Sequence, residues 1–244
     1  MKFDGTTTAI VGGGSGIGRA IALAAANAGS SIVLSSRNED RLMSVAKAIG
    51  NARVIPLDMT KNSSRATWAD ALPEVDHLVI SASSAAHGPF DKLEEQALRA
   101  MFDAKFFGPY MTAKAALPKL KSGGSITLFS GVLSRRPGLN CSGLGAVNGA
   151  VESLTYGLAL ELGPKFRVNC LSPGMVRSEA YKTMEPVARE SMYESTGNSL
   201  PLGRVGNVEE IAEATLFLMS NTYGTGIVLD VDGGHRIRQY ATRS

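Results

Sequence analysis

The sequence contains few cysteines and no long apolar run. Its two cysteines, Cys141 and Cys170, belong to no Cys-x-x-Cys motif or Cys/His cluster, so no metal site is predicted. Two buried thiols are typical of a protein in a reducing compartment. The apolar stretch 20–26 is far too short to span a membrane, and the opening MKFDGTTTAIV lacks the charged and apolar regions of a signal peptide. These absences predict a cytoplasmic protein.

The sequence also lacks a large excess of charge of either sign. The 25 Lys and Arg residues nearly balance the 22 Asp and Glu residues, and the basic residues are scattered along the chain. Because nucleic-acid-binding proteins carry a basic stripe, this pattern predicts no nucleic-acid partner. The basic tail with Arg236, Arg238 and Arg243 is interpreted as a solvated terminus. We expect a small-molecule substrate and no membrane partner.

Short apolar β-rich runs alternate with helical patterns along the whole chain. The candidate strands cover residues 7–11, 31–35, 53–57, 77–81, 125–129, 167–171 and 226–231. The candidate helices cover residues 16–28, 39–49, 63–71, 94–117, 145–162 and 208–219. Continuously apolar strands separated by helices indicate a parallel sheet with right-handed crossovers. The pattern predicts one α/β domain over residues 1–244, a Rossmann-type doubly wound sheet of seven parallel strands with helices on both faces.

One segment, 178–202, interrupts this alternation. It lies between the sixth candidate strand and the last candidate helix and contains two tyrosines and two prolines. A long excursion at the carboxyl edge of such a sheet usually carries function, so the segment is predicted to be a substrate lid.

A glycine-rich turn follows the first candidate strand and opens the first helix. Gly12 permits a sharp turn, Gly16 lets the backbone approach a diphosphate, and Gly18 lets the helix pack on the sheet. The helix then offers free N–H groups and its positive dipole end to the anion. The spacing predicts a dinucleotide site whose contacts here are Gly12, Gly14, Ser15, Gly16, Ile17 and Gly18.

The end of the second strand favours NADP(H) over NAD(H). An NAD-selective site places a carboxylate here for the ribose 2′-hydroxyl, but the sequence reads Ser35, Ser36, Arg37 and Asn38. Arg37 is able to pair with a 2′-phosphate, with Ser35 or Ser36 as additional donors. Asp58, just beyond the third strand, either caps the next turn or accepts a hydrogen bond from the adenine amino group.

Further segments match, in order, the signatures of a known family. They are Leu158-Ala159-Leu160-Glu161-Leu162, Arg167-Val168-Asn169, Ser172-Pro173-Gly174, Pro201-Leu202-Gly203-Arg204 and Val231-Asp232-Gly233-Gly234. With the glycine turn, they make the chain resemble the short-chain dehydrogenase/reductase family over essentially its whole length.

The resemblance implies where the rest of the cofactor lies. The adenine is expected near Asp58, and the nicotinamide near Pro173 and Gly174, with Ser178 in place of the usual threonine. The remaining implied cofactor contacts are Met59 and Ala82.

The catalytic positions that the resemblance implies are all altered. The family uses a tyrosine and a lysine one helical turn apart, a serine, and an asparagine on the preceding long helix. Counting from the matching segments assigns these roles to Leu144, Asn148, Gly131 and Lys105. The family's Asn-Asn-Ala-Gly segment also differs, reading Ile80-Ser81-Ala82-Ser83.

The lysine and the asparagine stand at exchanged positions. We therefore predict that Lys105 returns its ammonium to the catalytic pocket beside Asn148; the alternative is that Lys105 extends into solvent. Ser130 neighbours Gly131 and completes the set of candidate catalytic residues, although adjacent strand side chains normally point to opposite faces.

Other proton donors are weaker candidates. Tyr156 lies on the same candidate helix as Leu144, but about 18 Å further along it at 1.5 Å per residue, so it is no substitute. Tyr181 and Tyr193 on the predicted lid either reach inward or pack the lid. His87, after the fourth strand, is either an acid catalyst or a surface histidine.

Two functions remain open on the sequence alone. The first is an NADP(H)-dependent oxidoreductase acting on an unknown small carbonyl, imine or alcohol with a non-standard catalytic site. The second is a non-enzymatic NADP(H)-binding sensor or a partner subunit of an active relative. The resemblance also implies a homo-dimer or homo-tetramer that shares the helices over 94–117 and 145–162.

Overall fold

A computed structural model describes residues 2–82 and 84–237. Seven parallel strands form its main sheet: β1 (Thr7–Val11), β2 (Ser31–Ser35), β3 (Ala52–Val54), β4 (Val75–Ile80), β5 (Leu120–Phe129), β6 (Arg167–Pro173) and β9 (Val228–Val231). Their order is β3-β2-β1-β4-β5-β6-β9, which confirms the predicted doubly wound sheet. The order reverses between β1 and β4, and such a reversal opens a crevice at the carboxyl ends of the strands. Arg238 and Arg243 of the predicted solvated tail, and Ser83, lie outside the described residues.

Helices cover both faces of the sheet. They are α1 (Gly16–Asn27), α2 (Glu39–Ile49), α3 (Asn62–Ala71), α4 (Glu95–Phe102), α5 (Gly108–Ala116), α6 (Ser142–Leu162), α7 (Pro186–Asn198) and α8 (Val208–Ser220). One core cluster joins the sheet to α3, α5 and α6, and the other joins it to α1, α2 and α8. In the residues that the structure describes, no helix is long and apolar enough to cross a membrane.

The edge strand β3 is shorter than the predicted strand 53–57. Its backbone hydrogen bonds nevertheless continue beyond Val54, because the N–H groups of Ile55 and Leu57 donate to the carbonyls of Leu34 and Ser36 at 3.0 Å each. Pro56 lies between them, where its missing N–H faces away from β2. A proline is tolerated there because, in the part of the chain that the structure describes, β3 has no neighbouring strand on its other side.

The helix predicted over 94–117 forms, but a wider turn interrupts its regular α-helical geometry. The chain forms α4, then a π-helical turn over Asp103–Phe107, then α5. The Gly108 N–H donates to the Asp103 carbonyl, five residues earlier. Pro109 supplies the physical reason, because in a regular α-helix its ring would collide with the carbonyl of Lys105, four residues before it. The wider turn relieves this collision and holds Lys105 at its centre.

The segment 178–202 contains a helix, α7, that the sequence analysis did not predict. A two-stranded sheet of β7 (Val176–Arg177) and β8 (Gly206–Asn207) closes the ends of this excursion. Helix α7 buries only Tyr193 and Gly197, so its sequence carries no apolar stripe at helical spacing.

Candidate functional site

The glycine turn packs against two other backbone segments. Gly12 has a φ of +94°, and a Cβ atom added there would lie 2.6 Å from the backbone nitrogen of Ala82, just after β4. A Cβ atom on Gly18 would collide with the Gly12 carbonyl. Any larger residue at either position would displace the turn from the crevice, so this geometry depends on glycine.

The amino end of α1 is open to an anion. Ser15 is its N-cap residue but makes no side-chain capping bond, and within the described part of α1 no acidic side chain occupies the first turn. The free N–H groups and the dipole therefore remain available to a diphosphate. Gly14 lies in the turn before this helix end, and Ile17 packs its side chain against the core beneath it.

The residues predicted to hold the 2′-phosphate lie beside Gly14. A Cβ atom added to Gly14 would lie 3.3 Å from Ser36 Oγ and 3.3 Å from the Cβ of Arg41. Arg37 is exposed next to Ser36. The sequence analysis missed Arg41, because nothing in the local pattern distinguishes it from an ordinary arginine of a surface helix. Only the packing of α2 against the turn brings this second guanidinium-bearing side chain to the site.

Asp58 caps the turn that follows it. Its Oδ1 accepts hydrogen bonds from the Thr60 hydroxyl at 2.7 Å and from the Thr60 N–H at 3.1 Å. These bonds, with the charges of Lys61 and Arg37, lower the pKa of the Asp58 carboxyl. The capping alternative is therefore realised, while the adenine contact stays a prediction. Met59 turns its side chain into the core.

The predicted nicotinamide segment borders the same crevice. Pro173 ends β6, and the Gly174 N–H donates to the Val231 carbonyl at 3.0 Å. Ser178 follows β7, and its Cβ lies 3.8 Å from where a Cβ on Gly16 would stand. Residues 162 positions apart in the chain, Gly16 and Ser178, are thus brought together across the crevice.

Lys105 is buried rather than extended into solvent. Its residue is 7% exposed, and its Nζ donates to the carbonyl oxygens of Ser130 at 3.1 Å and Phe129 at 3.5 Å. Burial lowers the pKa of this ammonium to about 8, although the neighbouring Cys170 thiol opposes the shift. Within the described chain, no ion pair involves it. An ammonium in such surroundings is held by dipoles alone.

Asn148 presents an unsatisfied acceptor in the same region. Its Nδ2 donates to the Gly131 carbonyl at 3.2 Å, but its Oδ1 has no hydrogen-bond partner among residues 2–82 and 84–237, and the residue is only 2% exposed. A buried acceptor without a partner is costly, so this oxygen is suited to a ligand hydroxyl. Leu144, one turn earlier on α6, packs in an apolar cluster with Met101 and Val147.

The hydroxyl of Ser130 is already engaged. It donates to Glu152 Oε1 at 3.1 Å, and Ser134 donates to the same oxygen at 2.5 Å. Arg135 joins Glu152 at 3.2 Å to Asp230 at 2.6 Å. The sequence analysis overlooked Glu152, although an acidic residue four positions after Asn148 in an otherwise apolar helix stripe is a recognisable signal.

Two of the aromatic candidates contact each other, and the other two are exposed. Tyr193 is buried under the Arg177 guanidinium, which lies 4.7 Å from its ring centre, and it meets the Tyr181 ring edge-on at 5.9 Å. Tyr156 is 52% exposed. His87 is exposed in the loop after β4, where its Nδ1 contacts the half-buried thiol of Cys141 at 3.4 Å. Cys141 is therefore less buried than the sequence analysis assumed.

Comparison with known proteins identifies the family. A family model described as Enoyl-(Acyl carrier protein) reductase matches residues 12–236. Galactitol 2-dehydrogenase (L-tagatose-forming) of Cereibacter sphaeroides is 34% identical, over 97% of this chain and 97% of that protein. The 7alpha-hydroxysteroid dehydrogenase of Escherichia coli (strain K12) is 30% identical, over 96% of this chain and 95% of that protein. The chain belongs to the short-chain dehydrogenase/reductase family.

A solved structure supports the same assignment. It is described as a small-chain dehydrogenase in complex with NADPH, is 36% identical, and superposes with a TM-score of 0.83 over 96% of this chain and 100% of that one. The predicted resemblance to short-chain dehydrogenases/reductases is confirmed, and with it membership of a family of NAD(P)-binding oxidoreductases.

The buried ammonium of Lys105 makes a prediction about stability. The unfolded lysine has a pKa of about 10.4, whereas the folded one has a pKa of about 8. Between these pH values the unfolded chain binds more protons, so this residue's penalty on folding is full below pH 8 and disappears as pH rises to about 10. We expect Lys105→Met to raise the free energy of unfolding by up to about 3 kcal/mol at pH 7, and by much less at pH 10.

Urea unfolding of the cofactor-free protein at both pH values measures this difference. Lys114→Met, at an exposed lysine in the last turn of α5, is the control and should change little at either pH. An equal effect of Lys105→Met at pH 7 and pH 10 would show that the ammonium carries no burial penalty.

Proposed function

We propose that this protein is an NADP(H)-dependent oxidoreductase acting on a small carbonyl, imine or alcohol, with a proton-relay site that departs from its family's pattern. The observation that carries the proposal is the buried Lys105 ammonium at the carbonyl of Ser130, while Asn148 binds the adjacent carbonyl of Gly131 and leaves its Oδ1 unsatisfied among the described residues. The bound dinucleotide supplies hydride chemistry at the substrate carbon. The chain supplies binding, orientation and a proton.

Several features of the chain fit a dinucleotide. The glycine cradle leaves no room for a side chain at Gly12 or Gly18, and the first turn of α1 keeps its N–H groups free. Asn148 Oδ1 is suited to accept a hydrogen bond from a ribose hydroxyl. We assign cofactor binding to Gly12, Gly14, Ser15, Gly16, Ile17, Gly18, Ser36, Arg37, Asp58, Met59, Ala82, Pro173, Gly174 and Ser178.

The test of the oxidoreductase proposal is NADPH oxidation by the purified protein with a panel of ketones, 1,2-diones and cyclic imines. Turnover above the rate of a Gly18→Ala variant, whose added Cβ would collide with the turn, supports an enzyme. Tight NADPH binding without turnover on any compound would instead favour the sensor or partner-subunit function.

Three side chains support a preference for NADPH over NADH. Ser36, Arg37 and Arg41 stand around the end of β2 and the glycine turn, where the 2′-phosphate would lie. Two guanidinium groups neutralise a phosphate dianion and donate to its oxygens in pairs.

We expect Arg37→Ala to remove most of the preference for NADPH and to leave NADH binding nearly unchanged, because only the 2′-phosphate loses its partner. A loss of roughly 1.5–3 kcal/mol, the worth of a charged hydrogen bond, is expected in NADPH affinity. Fluorescence titration of both cofactors measures it, with Arg53→Ala on β3 as an exposed control. Equal affinities of the wild type for NADPH and NADH would contradict the assignment of Arg37 to the 2′-phosphate.

The catalytic pocket is an exchanged version of the family's arrangement in this proposal. Lys105 occupies the asparagine position and Asn148 the lysine position, while Leu144 and Gly131 replace the tyrosine and the serine. A lysine whose pKa is about 8 is able to hold or release a proton at Nζ near neutral pH. Ser130, whose hydroxyl donates to Glu152, presents the backbone carbonyl that accepts a hydrogen bond from Lys105.

Lys105→Met should weaken NADPH binding by about 1–2 kcal/mol if the ammonium serves the cofactor ribose.

Restoring the family's residues tests this correspondence. Leu144→Tyr alone should not create a competent carbonyl reductase, because without an ammonium at position 148 and a hydroxyl at position 131 the phenol keeps its ordinary pKa of about 10. The triple variant Gly131→Ser, Leu144→Tyr, Asn148→Lys should gain activity on the dione panel. A Cβ at position 131 would lie 3.1 Å from Asn148 Nδ2, so the serine fits better once Asn148 is replaced. The double variant without Leu144→Tyr is the control, and equal activity of the single and triple variants would contradict the correspondence.

The excursion over 178–202 is proposed to be the substrate lid of a single domain spanning residues 1–244. Two hydrogen bonds of 2.7 and 2.6 Å join the Arg177 guanidinium to the Glu190 carboxylate, and they hold α7 against the residue that precedes the excursion. Two free thiols, one of them fully buried, fit the cytoplasm as the compartment of this protein.

An exposed apolar face supports a homo-dimer or homo-tetramer. It is formed by side chains of the π-turn, α5 and α6, namely Phe107, Tyr110, Met111, Tyr156 and Leu160. Patches of this kind on a folded domain mark interaction surfaces. A twofold pairing of these helices would cover the patch on both copies.

We expect the wild type to sediment as a dimer or tetramer at micromolar concentration, and Leu160→Asp to shift it toward monomer. Leu160 is 84% exposed, so this charge disrupts an interface without disturbing the core. Val187→Asp, at a 79% exposed position of α7, is the matched control. A wild type that sediments as a monomer would contradict the proposed assembly.

A further inference from the structure

The thiol of Cys141 forms a pair with the imidazole of His87. The Sγ and Nδ1 atoms lie 3.4 Å apart, although the two residues are 54 positions apart in the sequence. A backbone hydrogen bond of 2.9 Å from Gly88 to the carbonyl of Asn140 fixes the two loops side by side. The pair is therefore held by the fold rather than by two mobile side chains.

Three chain segments of the carboxyl edge meet at this thiol. His87 belongs to the loop after β4, and Cys141 is the N-cap residue of α6. Tyr181 comes from the segment 178–202; burial, the neighbouring Tyr193 and the Cys141 thiol together raise its pKa. In a doubly wound sheet the ligand crevice lies at the carboxyl ends of the strands, so the pair faces the substrate side of the crevice.

The position of Cys141 on α6 relates it to the altered catalytic pocket. It is the N-cap residue, three residues before Leu144 and seven before Asn148, and this spacing places it at the amino end of the helix face that carries both. Leu144 itself carries no proton donor. The thiol is thus the donor one helical turn from the position where the family's phenol is missing.

We propose that Cys141 is the proton donor to the substrate, with His87 as the positioning residue that returns the proton from solvent. This assignment rests on the proposed oxidoreductase function. Bound NADPH would supply a hydride to the carbonyl carbon, and the π pair of the C=O bond would then move onto oxygen, which needs a proton. That oxygen forms a bond to the thiol proton as the S–H bond breaks, and the resulting thiolate regains a proton from solvent by way of the His87 imidazole.

The chemistry of the thiol suits this role. Burial raises the pKa of Cys141, so the group stays S–H at neutral pH. Cys170 does not compete, because it is fully buried and its pKa is about 11. His87 is exposed, which gives the pair contact with solvent protons.

Steady-state kinetics with NADPH and the most active panel compound provide the first test. We expect Cys141→Ala to lower kcat about 100-fold, the scale of a lost acid catalyst, with KM and NADPH affinity unchanged. Cys141→Ser should behave similarly, because an alkyl hydroxyl is a far weaker acid. Ser142→Ala, at the exposed neighbouring residue, is the control.

A readout that does not depend on turnover is alkylation by iodoacetamide, followed by peptide mass spectrometry. Cys141 should be labelled and Cys170 spared. His87→Asn keeps a polar atom near the Nδ1 position but accepts no proton, so labelling at pH 7.5 should slow at least about threefold, since the thiolate is the reacting form. Added imidazole should restore part of the kcat lost in His87→Gly, an effect that a merely structural histidine would not produce.

The outcomes separate this inference from the function on which it rests. If the wild type turns over and Cys141→Ala matches it, the thiol is not the donor and the oxidoreductase proposal stands. If Cys141 is labelled at the same rate in His87→Asn and the wild type, and imidazole does not restore kcat in His87→Gly, the proposed proton transfer between His87 and Cys141 is contradicted. If the wild type binds NADPH but reduces no compound, the proposed function fails and this role of Cys141 fails with it.

Discussion

The architecture depends on the close approach of three backbone segments at the point where the strand order reverses. The carbonyl of Gly12 lies so near the Cα of Gly18 that no side chain fits between the first turn of α1 and the end of β1. The start of the loop after β4 presses on Gly12 from the other side, through the backbone of Ala82. This contact sets the distance of α1 from the sheet, and through it the position of the free N–H groups that serve an anion. A change that opened it would disturb the core beneath α1 and the ligand crevice together.

A second constraint is the burial of a cation among dipoles. Lys105 meets two carbonyl oxygens at the end of β5, and Ser130, which contributes one of them, is fixed by Glu152 on α6. Arg135 and Asp230 extend these polar contacts towards β9. Burying an ammonium without a carboxylate lowers stability, and proteins retain such groups mainly where they serve a function. At Lys105, the requirement of the proposed site for a buried ammonium therefore lowers the stability of the folded chain.

Much of the fold was predictable from the sequence because strands of a parallel sheet are buried on both faces and appear as continuous apolar runs. The glycine turn and Arg37 were identified for a similar reason, since each follows a strand at a fixed spacing, whereas Ser178 was implied by the family resemblance. Helix α7 was missed because a mostly polar helix has no apolar stripe. The π-turn was missed because its cause is a steric conflict between the Pro109 ring and the Lys105 carbonyl, which an analysis of apolar spacing does not test. Arg41 and the pair of His87 with Cys141 depend on contacts between distant segments, which no local pattern records, whereas Glu152 left a local signal as an acidic residue on a buried helix face.

The π-turn also changes the rotational phase of the long helical segment. Each residue of an α-helix advances by about 100°, so one residue accommodated in a wider turn rotates everything after it by roughly that angle. Relative to the axis of α4, the side chains of Tyr110 and Met111 therefore emerge from a different side than a continuous helix would give them. The same local insertion directs Lys105 inward and sets which residues of α5 face outward. The inward position of Lys105 and the set of side chains that α5 presents to solvent are therefore coupled. A change in the length of this turn would alter both together.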